Sequence, residues 1–404
     1  MKSFFRRPAY YDSFQCIASA CTDNCCIRWE IDIDEASLEF YRRQAGTFGE
    51  RLQKNIAMDP PHFILDESER CPFLNQKNLC DIILNLGEKS ICQICTDHPR
   101  FYDWYENGME AGIGLCCEEA AKKILTEDAT LMEDWKEDEC EGASEILAAI
   151  DVEAEADATT EVLAEMDAEK ISDRLEMLAV EEEFFGHRAE LLEEIGGMDC
   201  NRETILAWIF QLRINAEQGG ARITAEQGGA RINVEQGGAR INVEQGNTQD
   251  QKEILRFLFD YLGQLQNFEI NKEEWRDWLV LLQDNVEKIW NLWPLFERQM
   301  NEAQEELLKE NFQKWKCTKE HYRRLLCYFI YRYYMKARWD RREDCRIWFA
   351  LLSMVVIEMM DIYAWGEKGI LTLKDQIDHC KLYSQEIEYC EENVEAIESL
   401  IEFL

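Results

Sequence analysis

The sequence predicts a mainly α protein, in which a small, loop-rich cysteine metal module with short strands docks on a helical body. Ten of the 17 cysteines fall within the first 117 of 404 residues, where even scatter would place about five. Beyond that stretch, apolar residues recur at helical spacing through most of the chain. With 46% hydrophobic residues, a chain of this length can build two or three cores.

Residues 1–15 carry Phe4, Phe5, Tyr10, Tyr11 and Phe14 around Pro8, and read as a short arm packed on the metal module. The alternation of Trp29, Ile31 and Ile33 predicts a short strand. Residues 35–58 read as one amphipathic helix, stopped by Pro60 and Pro61. The turn region GMEAGIGLCC then leads into helical EEAAKKIL. These residues form a module over 1–125.

Composition then changes sharply. Between Glu133 and Cys200 there are 24 acidic residues against four basic ones. Leu175, Leu178 and Val180 recur at helical spacing, so 126–212 reads as an acidic helical segment with a linker near 140–165. Residues 213–247 hold a nonapeptide repeat (RINAEQGGA, RITAEQGGA, RINVEQGGA, RINVEQG), too short for a helix-pair solenoid. It reads as a flexible insertion without a catalytic role. Residues 248–404 read as a helical domain, with Trp275, Trp278, Trp290 and Trp293 marking packed faces. Within it, 314–346 hold eleven basic against four acidic residues, interleaved with tyrosines. That pattern predicts a core helix whose arginines pair with the acidic segment, or a pocket for an anionic group.

A net charge of −37 argues against bulk nucleic acid or anionic membrane as partner. The longest apolar run, Ile347–Ile357, is too short to span a bilayer, and no signal-peptide run follows the N-terminal basic residues. The expectation is a soluble cytoplasmic protein. In that reducing compartment clustered cysteines serve metals or redox chemistry more often than disulfides.

Three cysteine groups stand out: Cys16, Cys21, Cys25 and Cys26; Cys71 and Cys80; Cys92, Cys95, Cys116 and Cys117. Thiolates are soft ligands, and gaps of two to four residues let several reach one ion. Adjacent side chains diverge in regular structure, so Cys25 and Cys26 are not expected to share a tetrahedral ion. One four-thiolate site with spare cysteines, or two sites, both fit the count. Spacing does not decide between structural zinc and an iron–sulfur cluster. His62 and His98 lack the spacing of His–Cys sites and read as packing residues. The seven later cysteines, Cys140, Cys200, Cys317, Cys327, Cys345, Cys380 and Cys390, read as isolated buried thiols. Gly112 and Gly114 form only a weak cofactor-loop pattern.

The runs YYDSFQCIASACTDNCCIRWEIDID, CPFLNQKNLCDIILNLGEKSICQICTDHPRFYD and LCCEEAAKKIL resemble the flagellin lysine-N-methylase family. The first part also resembles the wider group of zinc- or iron-chelating cysteine-cluster proteins. HYRRLLCYFIYRYYMKARWD is similar to that family's aromatic-basic helix, so the resemblance covers about two-thirds of the chain. It implies transfer of a methyl group from S-adenosylmethionine to lysine side chains of flagellin, with an iron–sulfur cluster as a second cofactor and zinc as the alternative. By position it implies Cys16, Cys21, Cys25, Cys26, Cys71, Cys80, Cys92, Cys95 and Cys117 as metal ligands. Cys116 stands where a serine is more usual, His98 where an aromatic is expected, and Glu118 where a proline is common. The repeat is no part of the pattern. Tyr322, Tyr331 and Tyr334 are candidate proton acceptors by composition alone. The residues leave polar and cluster-assisted radical transfer open. They equally leave open a non-enzymatic metal-binding or redox protein.

Overall fold

The computed structural model describes residues 2–137, 168–205 apart from positions 199 and 203, 248–309 and 318–402. The repeat, the linker near 140–165, Cys140 and Cys317 lie outside the described residues. The described chain is mainly α, as composition and periodicity predict, with one four-stranded sheet and one small hairpin.

Strand β1 (Lys2–Pro8) is not an arm on the cysteine region. It lies inside the sheet, between β5 (Gly108–Ile113) and β6 (Leu131–Glu137). It runs parallel to β5, with Phe4 opposite Gly108, and antiparallel to β6, with Lys2 opposite Glu137. Strand β4 (Arg100–Tyr105) completes the sheet as the hairpin partner of β5. Phe4 packs among Tyr105, Trp135 and Phe185, which ties the N-terminus to the main core.

The expected helix over 35–58 is broken. Helix α1 (Glu35–Arg42) starts on Asp34, whose carboxylate accepts from the Ser37 amide at 2.9 Å. Helix α2 (Gly46–Lys54) follows, with Gly46 at φ +75°. That left-handed residue turns the chain so that Leu38 and Leu52 bury against one core. Residues 56–58 are then strand β2, paired with β3 (Pro61–Phe63). No named strand forms over 29–33; Asp32 makes an isolated bridge with His62 instead, and Ile31 and Ile33 on either side of it are buried.

Two cores result. The smaller gathers Ile31, Ile33, Leu38, Tyr41, Leu52, Phe63, Phe73, Leu74 and Ile82 around buried Cys71 and Cys92. The larger joins the sheet to the C-terminal helices. At its centre runs the helix Glu343–Lys368, which is long and apolar enough to cross a membrane. The apolar run read as 347–357 is therefore part of a 26-residue helix, and 94% of its apolar window is buried inside the protein. Around it pack the aromatic helix Lys319–Tyr333, capped by Thr318 and His321, and the helix Leu373–Tyr383, capped by Thr372 and Asp375.

The acidic helix Ala168–Gly197 presents Glu181, Phe184, Arg188, Leu191 and Ile195 to the core at helical spacing. Leu175, expected on the packed face, is exposed. Arg338 and Arg341 reach back to Glu181 and Glu183 of this helix, so basic residues of 314–346 do pair with the acidic segment. Trp275, Trp290 and Trp293 are buried, while Trp278 is half-exposed. Full burial of such side chains contributes roughly 1.5–3 kcal/mol each.

Candidate metal centre

The cysteines are delivered by loops and helix starts. Cys16, Cys21 and Cys25 lie on the loop before α1, and the Cys71 amide donates to the Cys26 carbonyl at 2.8 Å. Cys80, Cys92 and Cys117 each sit at the N-cap of a helix: α3 (Asp81–Leu86), α4 (Gln93–Asp97) and α5 (Glu118–Thr126). Helix N-termini favour negative charge, so these positions suit thiolates.

Local amides reinforce that preference. Burial pushes the Cys71 and Cys117 thiols up to about 11, while the amides of Phe73 and Leu74, and of Ala120 and Glu119, act the other way. Burial likewise raises Cys80 against the amides of Ile83 and Ile82. Cys21 is pushed up to about 12 by burial, with Asp23's backbone opposing. Metal binding must therefore release protons from these sulfurs.

Their mutual electrostatics divide the nine cysteines into two neighbouring groups. Cys26, Cys71, Cys80, Cys92 and Cys95 act on one another. Cys16, Cys21, Cys25 and Cys117 form the second group. Within the first, the sulfurs of Cys92 and Cys95 lie 3.4 Å apart. Cys25 and Cys26 do not diverge as adjacency suggests: they share a hydrogen bond, which lowers the first thiol and raises the second. The backbone here is loop rather than helix or strand, so the usual divergence does not apply. Cys116 turns away, 4% exposed, toward the Tyr389 hydroxyl.

As a donor set, these residues fit a metal group: soft sulfurs, three of them at helix starts, with amides directed at them. Among the described residues, no three of these sulfurs lie within 4.8 Å of one another.

Helix α5 and the C-terminal segment pin this region. Thr22 donates to Glu118 through its amide at 2.8 Å and its hydroxyl at 2.7 Å. Lys381 reaches Asp23 at 3.2 Å, and Gln385 donates to the Cys116 carbonyl at 3.1 Å. Tyr389 stands edge-on to Trp29, with centroids 5.2 Å apart. None of these second partners was legible from cysteine spacing.

The other candidates resolve as packing residues. His98 lies against Trp29 and is held down to about 4 by burial, while His62 contacts the Pro60 carbonyl at 2.8 Å. Tyr322 donates to Asp361, and Tyr331 to the Ala111 carbonyl; both are buried, as is Tyr334 against Phe184. Tyr322 and Tyr331 are thus structural donors, which corrects their reading as proton acceptors, and Tyr334 is a buried packing residue. A Cβ at Gly112 would meet the Phe101 ring, and one at Gly114 the Tyr389 hydroxyl, so both glycines serve close packing. Of the later cysteines, Cys200, Cys345, Cys380 and Cys390 are buried and Cys327 is half-buried. Cys390 lies beside two exposed carboxylates, Glu269 and Glu392, and so is not isolated.

Residues 225–403 match the family model of the FliB lysine N-methylase C-terminal domain. A lysine-N-methylase of Salmonella typhimurium is 29% identical over 134 residues, 30% of this chain and 32% of that protein. The flagellar biosynthetic protein FliU of Salmonella muenchen is 29% identical over 128 residues, 30% of this chain and 76% of that one. The chain thus spans about a third of the length of the lysine-N-methylases it matches. No solved structure matches it. The C-terminal match and the relatives so named make the chain similar to the FliB lysine N-methylases.

Proposed function

We propose that this protein transfers methyl groups from S-adenosylmethionine to lysine side chains of flagellin in the cytoplasm, with a cysteine-bound iron–sulfur centre. The observation that carries the reading is the match of residues 225–403 to the lysine N-methylase domain, joined to relatives bearing that name. Flagellin as substrate draws support from the flagellar name of FliU. For the centre, support comes from nine sulfurs in two adjoining groups and from amides that favour their thiolates. Cys16, Cys21, Cys25 and Cys117 would hold one group, and Cys26, Cys71, Cys80, Cys92 and Cys95 another.

When bound, such a cluster supplies an electron source and an iron that can orient a cofactor. The protein's own part is to hold a lysine amine, strip its proton and exclude water. A deprotonated amine is required because an ammonium has no lone pair for the methyl carbon. Co-expression with flagellin tests the reading. Intact-mass analysis is expected to find added steps of about 14 Da per methyl group, located on lysines. Unmodified flagellin, together with no binding of S-adenosylmethionine, would sink it. The same sulfurs suit a metal carrier or redox protein, and that reading would then take its place.

A further inference from the structure

The central helix carries a carboxylate in the protein interior that is bound to a histidine. Asp361 is fully buried, and its Oδ1 accepts a hydrogen bond from His379 Nδ1 at 2.6 Å. Its Oδ2 accepts from the Tyr322 hydroxyl and the Gln376 amide, each at 2.8 Å. A carboxylate is acceptor-only, so in the neutral imidazole this contact places the proton on Nδ1 and the lone pair on Nε2. Among the described residues Nε2 has no partner.

Aromatic rings flank that nitrogen's side chain. Trp278 stands edge-on to His379 with centroids 4.9 Å apart, and Tyr363 edge-on to Trp278 at 6.2 Å. Both are half-exposed. The Tyr363 ring already holds a lysine head, since Lys288 Nζ sits 4.8 Å from its centroid and is paired with Glu367. Aromatic faces attract ammonium groups by roughly 0.5–2 kcal/mol, and the chain as a whole, at −37, favours a cationic guest. The helix bearing His379 also reaches the cysteine region, through Lys381 on Asp23 between Cys21 and Cys25.

We propose that His379, Trp278 and Tyr363 form a site for a lysine side chain, with His379 Nε2 as the acceptor of its proton. One N–H bond of the ε-ammonium breaks and its proton passes to Nε2. The amine nitrogen keeps the electron pair, which is then available to the methyl carbon of a sulfonium donor. Asp361 is the positioning residue: it orients the ring and offsets the imidazolium until the proton leaves to water. The use of the freed amine rests on the methyltransferase reading; the binding of lysine does not.

Two measurements on the full chain test this. The first labels the imidazole carbons of the five histidines and follows them by NMR, with His379→Gln assigning the signal. Nα-acetyl-lysine amide is expected to shift the His379 resonance, acetyl-norleucine amide to leave it, and Trp278→Ala to abolish the response. No shift with lysine, or an equal shift with norleucine, overturns the site. The second follows flagellin methylation. His379→Gln is expected to lower kcat about a hundredfold with KM little changed, and Trp278→Ala to raise KM. In His379→Ala, added imidazole is expected to restore part of the rate, which a packing role would not allow. Undiminished turnover in His379→Gln overturns the proton-acceptor role. Should the parent protein not methylate at all, it is the methyltransferase reading that fails, and the NMR titration alone decides the lysine site.

Discussion

Arg188 of the acidic helix and Glu110 of β5 form a two-pronged ion pair, 2% and 1% exposed, that joins the sheet to the helical body. Nη1 of Arg188 donates to Oε2 at 2.8 Å, Arg6 donates to Oε1 at 2.9 Å, and Tyr105 donates to Oε2 at 3.0 Å. Burial pushes the Glu110 carboxyl up, yet Arg188 and Arg6 overcome it and hold the group below its ordinary value. The same Arg188 donates to the Tyr331 carbonyl, so one charge ties three elements together.

Removing one partner leaves the other charged and buried. Glu110→Ala and Arg188→Ala are each expected to cost about 3–5 kcal/mol in urea unfolding. Because the folded value of Glu110 is depressed, its stabilisation is present above the ordinary 4.5 and is lost as pH falls through the folded value. Unfolding free energies of parent and Glu110→Gln should therefore converge in acid. Equal separation from pH 7 to pH 3 would contradict this.

Glu358, on the central helix, behaves in the opposite sense. Its Oε1 accepts from Trp293 at 2.9 Å, Oε2 has no hydrogen-bond partner among the described residues, and burial holds the carboxyl well above the usual range. The folded state thus binds the proton more tightly, and stability falls as pH rises above the ordinary 4.5. Glu358→Gln keeps the acceptor for Trp293 and removes the titration. It is expected to be at least as stable as the parent at pH 7, with a shallower decline toward alkaline pH in thermal melts.

Gly114 leaves room for the Tyr389 hydroxyl, which an added Cβ would meet. Gly114→Ala must displace Tyr389 from Cys116 and Trp29. Overpacking of this kind costs roughly 1–3 kcal/mol, read as a lower melting temperature and looser metal retention. Gly196→Ala, with nothing within 4 Å of the added Cβ among the described residues, is the control expected to be mild.

The neighbours Cys116 and Cys117 separate ligand from packing residue. Cys117→Ser is expected to lower the metal bound per chain, whereas Cys116→Ser, whose sulfur faces Tyr389, should leave it within error. Metal analysis of both variants, purified without oxygen, checks the contrast. Equal loss in both would contradict the division.

Sequence periodicity revealed the helices because their contacts are local: Trp275, Trp290 and Trp293 sit in the core where helical spacing put them. The sheet was hidden because β1 pairs with residues more than 100 positions away, and such register leaves no local trace. The break in 35–58 turned on the backbone of one glycine, Gly46, inside an otherwise continuous amphipathic pattern. Cysteine number and grouping pointed to a metal module, but their division into two groups depends on which loop faces which. The pair His379 and Asp361, 18 residues apart on successive helices, gave no spacing signal at all.

The most direct measurement is the metal content of the full chain purified without oxygen. Iron and acid-labile sulfide bound to the protein, with absorbance near about 400 nm lost on Cys117→Ser, are the predicted result. A colourless protein without bound metal, folded and unchanged by replacing these cysteines, would contradict the account.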